Sequence, residues 1–234
     1  MYKDERVGTN YINFNEVRDK NMPLRWMNFY GPPIINDGGD NEYADLMTLH
    51  GDKGSTYRGR LLYKVSTKDD ENPRTFTKEL KFDLAMNPSP AVPVKSYLLK
   101  VALYEAVELP ELSHYHSYSI VASCGPYEVQ SKFKEYQHSR VVWNEYLELR
   151  IRAPGPFRIK RDDPDNYDDI PDVILYLVGN STIENDPCAR ICFKRIKAST
   201  LLDVKDRTTN IESFIFEEDK ALDALDDEMF PGIV

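Results

Sequence analysis

Five aspartates fall within eight positions of this chain: Asp162, Asp163, Asp165, Asp168 and Asp169, with Pro164, Asn166 and Tyr167 between them. Calcium takes six to eight oxygens, many from carboxylates, so this run is the first place to look for a metal. A dense run of one charge is also the ordinary composition of a solvated loop, and carboxylates make a cage only where the backbone preorganises them. The run therefore reads as a solvated loop holding weak cation candidates, and no cofactor is expected.

Nucleophilic chemistry has a thinner basis. His114 and His116 flank Tyr115, and Cys124 follows eight residues after His116. A thiol and an imidazole suffice for acyl transfer only with an oriented third group and an oxyanion site, and no glycine-rich elbow accompanies them. The three cysteines are Cys124, Cys188 and Cys192. An odd, small number suits a reducing compartment, and the last two, four apart on one expected strand, read as buried apolar side chains. There is no Gly-x-Gly-x-x-Gly, phosphate loop or Cys-x-x-Cys pair. The expectation is a protein without catalytic residues.

A third set is basic: Lys132, Lys134, Arg140, Arg158, Lys160 and Arg161. On neighbouring strands and loops they would form a local positive face, the chemistry that meets anionic phospholipid. The whole chain points the other way. Its 234 residues carry a formal net charge of -9 with pI near 5.1, which argues against nucleic acid as a partner. The charged N-terminus has no apolar leader pattern, and the longest apolar run, 173–178, is far short of the roughly 20 residues of a spanning helix. A cytoplasmic placement is the expectation.

These residues must be positioned by strands. Leu99, Val101 and Leu103 alternate with Lys100, Ala102 and Tyr104, the period of a half-buried strand. The same reading gives eight strands: 57–65, 98–107, 117–123, 127–133, 141–151, 173–178, 189–196 and 211–216. Gly125-Pro126 turns the chain between the third and fourth. Lys78 and Lys81 would suit 75–82 as a further edge strand. Leu222, Leu225 and Met229 recur at helical spacing before Pro231, so an acidic tail over 217–234 is expected to hold a short helix. Short strands with turn signals between them make an all-β antiparallel sandwich. Residues 1–50 lack sustained period and read as an irregular arm, with Trp26, Phe29 and Tyr30 as its docking residues.

A strand ending in Glu108-Leu109-Pro110, then a hairpin, then Trp143-Asn144-Glu145 entering a further strand, resembles a C2 domain, a sandwich that binds membranes. Leu24-Arg25-Trp26-Met27-Asn28-Phe29-Tyr30-Gly31-Pro32, the acidic glycine stretch 37–40 and Tyr57-Arg58-Gly59-Arg60-Leu61-Leu62 together resemble the ferlins, over roughly 24–193. In that family the run links one C2 domain to a module called FerB, whose opening strand Tyr97-Leu98-Leu99-Lys100 resembles. The resemblance implies a C2-like, FerB-type sandwich over 51–216, after the tail of a preceding module over 1–50. It also implies work in membrane trafficking, vesicle fusion or membrane repair at the cytosolic face. The implied partners are neighbouring ferlin domains or other proteins. The alternative is an autonomous domain recruited to anionic phospholipid. A calcium-binding C2 domain carries Asp-x-Asp at the start of a loop that here reads Gly179-Asn180-Ser181. Glu108, Glu111, Glu184 and Asp186 are the only carboxylates in the two flanking end loops, so calcium is not expected there.

Overall fold

In the computed structural model, residues 6–20, 25–33, 42–65, 67, 94–109, 112, 115–154, 170–181, 189–198, 201 and 217–218 are described. In chain order the elements begin with α1 (Phe14–Lys20), β1 (Arg25–Gly31), α2 (Glu42–Leu49) and β2 (Thr56–Tyr63). The long strand β3 (Val94–Val107) leads to β4 (Tyr115–Cys124), β5 (Tyr127–Gln130) and β6 (Lys134–Glu135). Then come β7 (Arg140–Pro154), β8 (Val173–Ser181), β9 (Ala189–Ile196) and β10 (Glu217–Glu218).

β8 is the centre of the molecule because its sequence is apolar at every position from Val173 to Val178. Such a strand needs cover on both faces. It pairs antiparallel with β4 on one side and β9 on the other. β5 and β6 pair with β4, and β10 pairs with β9, completing a six-stranded sheet. On one face lies the ribbon β3–β7, paired from Val94↔Pro154 to Val107↔Arg140. Its inner residues Leu149, Ile151, Val141 and Trp143 close on Ala122, Cys124, Ile120, Leu175 and Leu177. The fold is therefore an all-β antiparallel sandwich.

The other face of β8 is covered by the N-terminal ribbon β1–β2. Ile174, Tyr176 and Phe193 bury against Tyr30, with Tyr57 and Val121 beside them. Tyr30 and Tyr57 meet edge to face at 5.8 Å. The strand expected at 57–65 thus does not extend the main sheet; it pairs with β1, from Arg25↔Tyr63 to Gly31↔Thr56.

Within the segment read as irregular lie α1, β1 and α2, too short to show a period. Asn13 caps α1, its side-chain oxygen accepting the Asn15 N–H at 3.0 Å. α2 buries Met47 alone of its apolar residues, which is why no amphipathic stripe is visible in sequence. The strand expected over 127–133 breaks after Gln130. Ser131 turns inward, its N–H bonding the Ile120 carbonyl while its hydroxyl accepts the Ile120 N–H, both at 2.9 Å. The strand expected at 211–216 lies outside the described residues. Glu217 and Glu218, where the terminal helix was expected to begin, are strand β10; the rest of that helix lies outside the described residues.

Bulges set which side chains face which layer. Trp143 and Asn144 together oppose Tyr104, and Asn144 takes φ 48°, a left-handed conformation that asparagine tolerates better than most residues. On β9, Ile191 is the extra residue between the pairs Leu177↔Cys192 and Val178↔Arg190. That one-residue shift puts Arg190 on the same face as Phe193 and Arg195.

Candidate binding surfaces

The register places the ends of β3 and β8 and the starts of β4 and β7 together at one end of the sandwich. The described residues there pack on one another. Leu109 and Leu112 pack on Tyr136 and the Trp143 cluster. The Leu109 N–H donates to the Ser139 carbonyl at 3.1 Å, and the Tyr136 hydroxyl donates to the Leu109 carbonyl at 3.1 Å. His138 and Ser139, both with positive φ, make the tight turn between β6 and β7.

At Gly179 the backbone lies beneath Tyr115. A Cβ there would come within 2.7 Å of the Tyr115 ring and 2.9 Å of Ile191. No carboxylate side chain fits at this position. Asn180 donates to the Ser117 hydroxyl at 3.3 Å. Glu108 is exposed with φ 59°. Glu111, Glu184 and Asp186 lie outside the described residues, as do Asp162, Asp163, Asp165, Asp168 and Asp169. Among the described residues, no three carboxylate, imidazole or thiol groups gather as metal ligands.

Beside this end, between β6 and β7, an open groove of about 720 Å³ has Lys134, Glu135, His138 and Arg140 among its lining residues. It brings Lys134 and Arg140 together, with Lys132 next to them. Two of these three cations are compensated: Arg140 pairs with Glu105, and Lys134 stands 3.9 Å from Glu145. Glu145 is the more buried partner, its other oxygen accepting the Lys132 N–H at 3.0 Å. Arg158, Lys160 and Arg161 lie outside the described residues.

No protein-family model matches the sequence, and no curated protein matches it. Cys124 is buried at the far end of β4 from His116, eight residues or roughly 26 Å away at about 3.3 Å per residue. The Cys124 thiol donates to the Pro171 carbonyl at 3.2 Å. Burial first, and then the Asp172 charge, push that thiol up to about 12, so the thiolate is scarce at neutral pH. The geometry separates the one described histidine of the pair from the thiol; His114 lies outside the described residues, as does Cys188. Burial, then Tyr136 and Tyr115, likewise push the Tyr118 phenol up to about 12.

The arm residues separate in the structure. Tyr30 is buried against the sheet, its hydroxyl accepting the Asp172 N–H at 2.7 Å; desolvation raises its pKa, with Asp172 adding to the effect. Trp26 and Phe29 are half-buried, and the Arg60 guanidinium lies 4.6 Å from the Trp26 ring.

Sequence reasoning missed the two arginines that hold this arm. The Arg195 guanidinium stacks 3.5 Å from the Tyr30 ring, pairs with Asp172 at 2.7 Å, and donates to the carbonyls of Gly51 at 2.7 Å and Gly54 at 3.2 Å. Arg190 lies 3.8 Å from the Tyr176 ring and donates to the Thr56 hydroxyl at 2.9 Å and the Ser55 carbonyl at 2.8 Å. The available signal was an apolar strand, 189–196, interrupted by arginines whose planar heads suit stacking and several carbonyls at once. Gly54 belongs to the same joint, since a Cβ there would lie 2.6 Å from the Gly31 nitrogen.

Proposed function

We propose that the chain is a non-catalytic, C2-like module of the ferlin type that serves membrane trafficking or fusion through protein contact, without calcium. One observation carries the reading: the sandwich end where such domains gather calcium has a packed glycine, Gly179, where a ligand would stand. Charge supports protein over lipid, because Lys134 and Arg140 have carboxylate neighbours, which weakens attraction to an anionic surface.

Vesicle sedimentation tests this. With phosphatidylcholine vesicles containing about one fifth phosphatidylserine, the full chain stays in the supernatant in both EGTA and calcium. Pelleting that needs Lys132, Lys134 and Arg140 would instead establish the autonomous phospholipid-binding domain. The ferlin assignment has its own check, the transcript on either side of this reading frame. Further sandwich repeats and a terminal apolar span are expected, and a transcript encoding this chain alone would remove it.

A further inference from the structure

The β3–β7 ribbon has an outer face turned away from the six-stranded sheet. Alternation puts Leu98, Lys100, Ala102 and Tyr104 of β3 outward, beside Val142, Tyr146, Glu148, Arg150 and Arg152 of β7. Leu98, Val107 and Val142 are exposed, while Tyr104 and Tyr146 are 57% and 64% exposed. Inward-facing residues of the same strands are buried in the core, so these outward positions are not needed for the sandwich. Scattered exposed apolar residues are normal, but here they share one face of a single ribbon.

The charges on this face divide into two kinds. Lys100 is paired with Glu148 at 3.5 Å and Arg140 with Glu105, so the middle of the face and its Arg140 end are internally compensated. Arg150 and Arg152 have no carboxylate partner among the described residues. They stand two positions apart on one face, about 7 Å along the strand at roughly 3.4 Å per residue. In a chain of net charge -9, these two arginines on the same face as two exposed tyrosines are a local exception. Tyrosine and arginine are the residues enriched where proteins meet.

We propose that this face docks an acidic protein segment, in extended form, whose alternate carboxylates meet Arg150 and Arg152 and whose apolar side chains lie on Tyr104, Tyr146 and Leu98. The guanidinium fork takes a carboxylate through two parallel hydrogen bonds, which fixes register as well as charge. A flat anionic membrane fits less well, because it offers no row of carboxylates at the fixed spacing that two guanidinium forks on one strand would match. The inference deepens the protein-contact reading above and rests on it for the class of partner.

The probe is a fluorescein-labelled peptide with glutamate at two alternate positions and leucine at later alternate positions, serine between them, so that in extended form glutamates and leucines share one face; it is titrated against the full chain by fluorescence anisotropy. The expected result is saturable binding that weakens at least tenfold in Arg150→Glu/Arg152→Glu and several-fold in Tyr146→Ser, with no binding of the matched lysine peptide. Both variants are at exposed positions, and a thermal melt of each checks that it remains folded. Unchanged affinity in the double variant, or no binding of the glutamate peptide, overturns the proposal. So does phosphatidylserine-vesicle pelleting lost in the same double variant, which would make this a membrane face. Self-association of the wild type that the double variant abolishes would make the occupant a second copy and also overturn it. Vesicle pelleting that survives Arg150→Glu/Arg152→Glu counts against the protein-contact reading alone, and leaves this face standing if the peptide still binds.

Discussion

Replacing Arg195 by methionine keeps the aliphatic stem and removes the charged head that joins the N-terminal ribbon to the sheet. The magnitude follows from what the head touches. The Arg195 and Asp172 side chains are 19% and 15% exposed, so the pair is largely shielded from water. Removing one member of a buried pair costs about 3–5 kcal/mol, mostly from the charge left behind. Asp172 keeps only part of its compensation, since its other oxygen accepts the Ala198 N–H at 3.3 Å. Loss of the stack on Tyr30 adds about 0.5–2 kcal/mol, and the Gly51 and Gly54 carbonyls lose a charged donor. These terms share one side chain and do not add, so about 3–5 kcal/mol is the expected total.

Urea unfolding measures that loss, and native-state hydrogen exchange shows where it falls. Amides of β1 and β2 should lose protection while those of β4 and β8 keep most of theirs, because sub-global opening follows the weakest joint. Asp172→Asn should cost less when placed on Arg195→Met than on the wild type, a coupling of more than about 1 kcal/mol. A loss below about 1 kcal/mol, with β1 and β2 protection unchanged, would refute the idea that Arg195 is the joint.

Trp143→Ala, at a core position only 4% exposed, should lower stability by about 3–5 kcal/mol in a urea melt. Gly179→Ala should cost about 1–3 kcal/mol by overpacking against Tyr115, and a variant as stable as the wild type would show that the loop end has room after all. Stability should fall in alkali. The preference for protonated Cys124 and Tyr118 is fully present below their ordinary values of 9.0 and 10.0 and is lost as pH rises to about 12. For Cys124 the slope is at most about 1.4 kcal/mol per pH unit, and Cys124→Ser should flatten it. Calcium at about 1 mM should leave the melting temperature where EGTA leaves it, because a ligand stabilises only by binding the folded state; a rise of several degrees would contradict the stripped loop end.

The sandwich strands were legible because one rule governs them: β3 and β7 bury one face, so Leu99, Val101, Leu147 and Leu149 alternate with polar or exposed neighbours. β8 was legible for the opposite reason. Its unbroken apolar run announces a strand covered on both sides, and the second cover is a ribbon of which only β2 was expected as a strand. β1 and α2 give no such signal, since their stability comes from partners far along the chain, as with Tyr30 and Asp172. The bulge at Ile191 hid the role of Arg190, because a strict period of two assigns Arg190 and Phe193 to opposite faces. Of the basic candidates, sequence could place Lys134 and Arg140 near one another but could not foresee Glu145 and Glu105 beside them. Cross-strand partners depend on register, and Asn144 shifts that register by one residue.

This two-sided burial has a consequence for how the module could act. One ribbon, β3–β7, contributes the core and leaves its outer face free, so side chains there can vary or bind without disturbing packing. The other, β1–β2, is held by stacked arginines and backbone carbonyls as well as by Tyr30, Tyr57 and Phe193. The joint buries few apolar side chains beside these polar contacts, and regions with few buried apolar contacts open at lower free energy. The weaker layer is therefore the N-terminal ribbon, and the stiffer one carries the docking face. A partner bound at Arg150 and Arg152 would meet a surface already in place, with little ordering cost to subtract from its affinity. Arg195→Met should accordingly leave binding of the glutamate peptide within about twofold of the wild type, even as it loosens β1 and β2. A larger loss would mean that the two layers are coupled through β8, and that the ribbon helps to shape the face it does not touch.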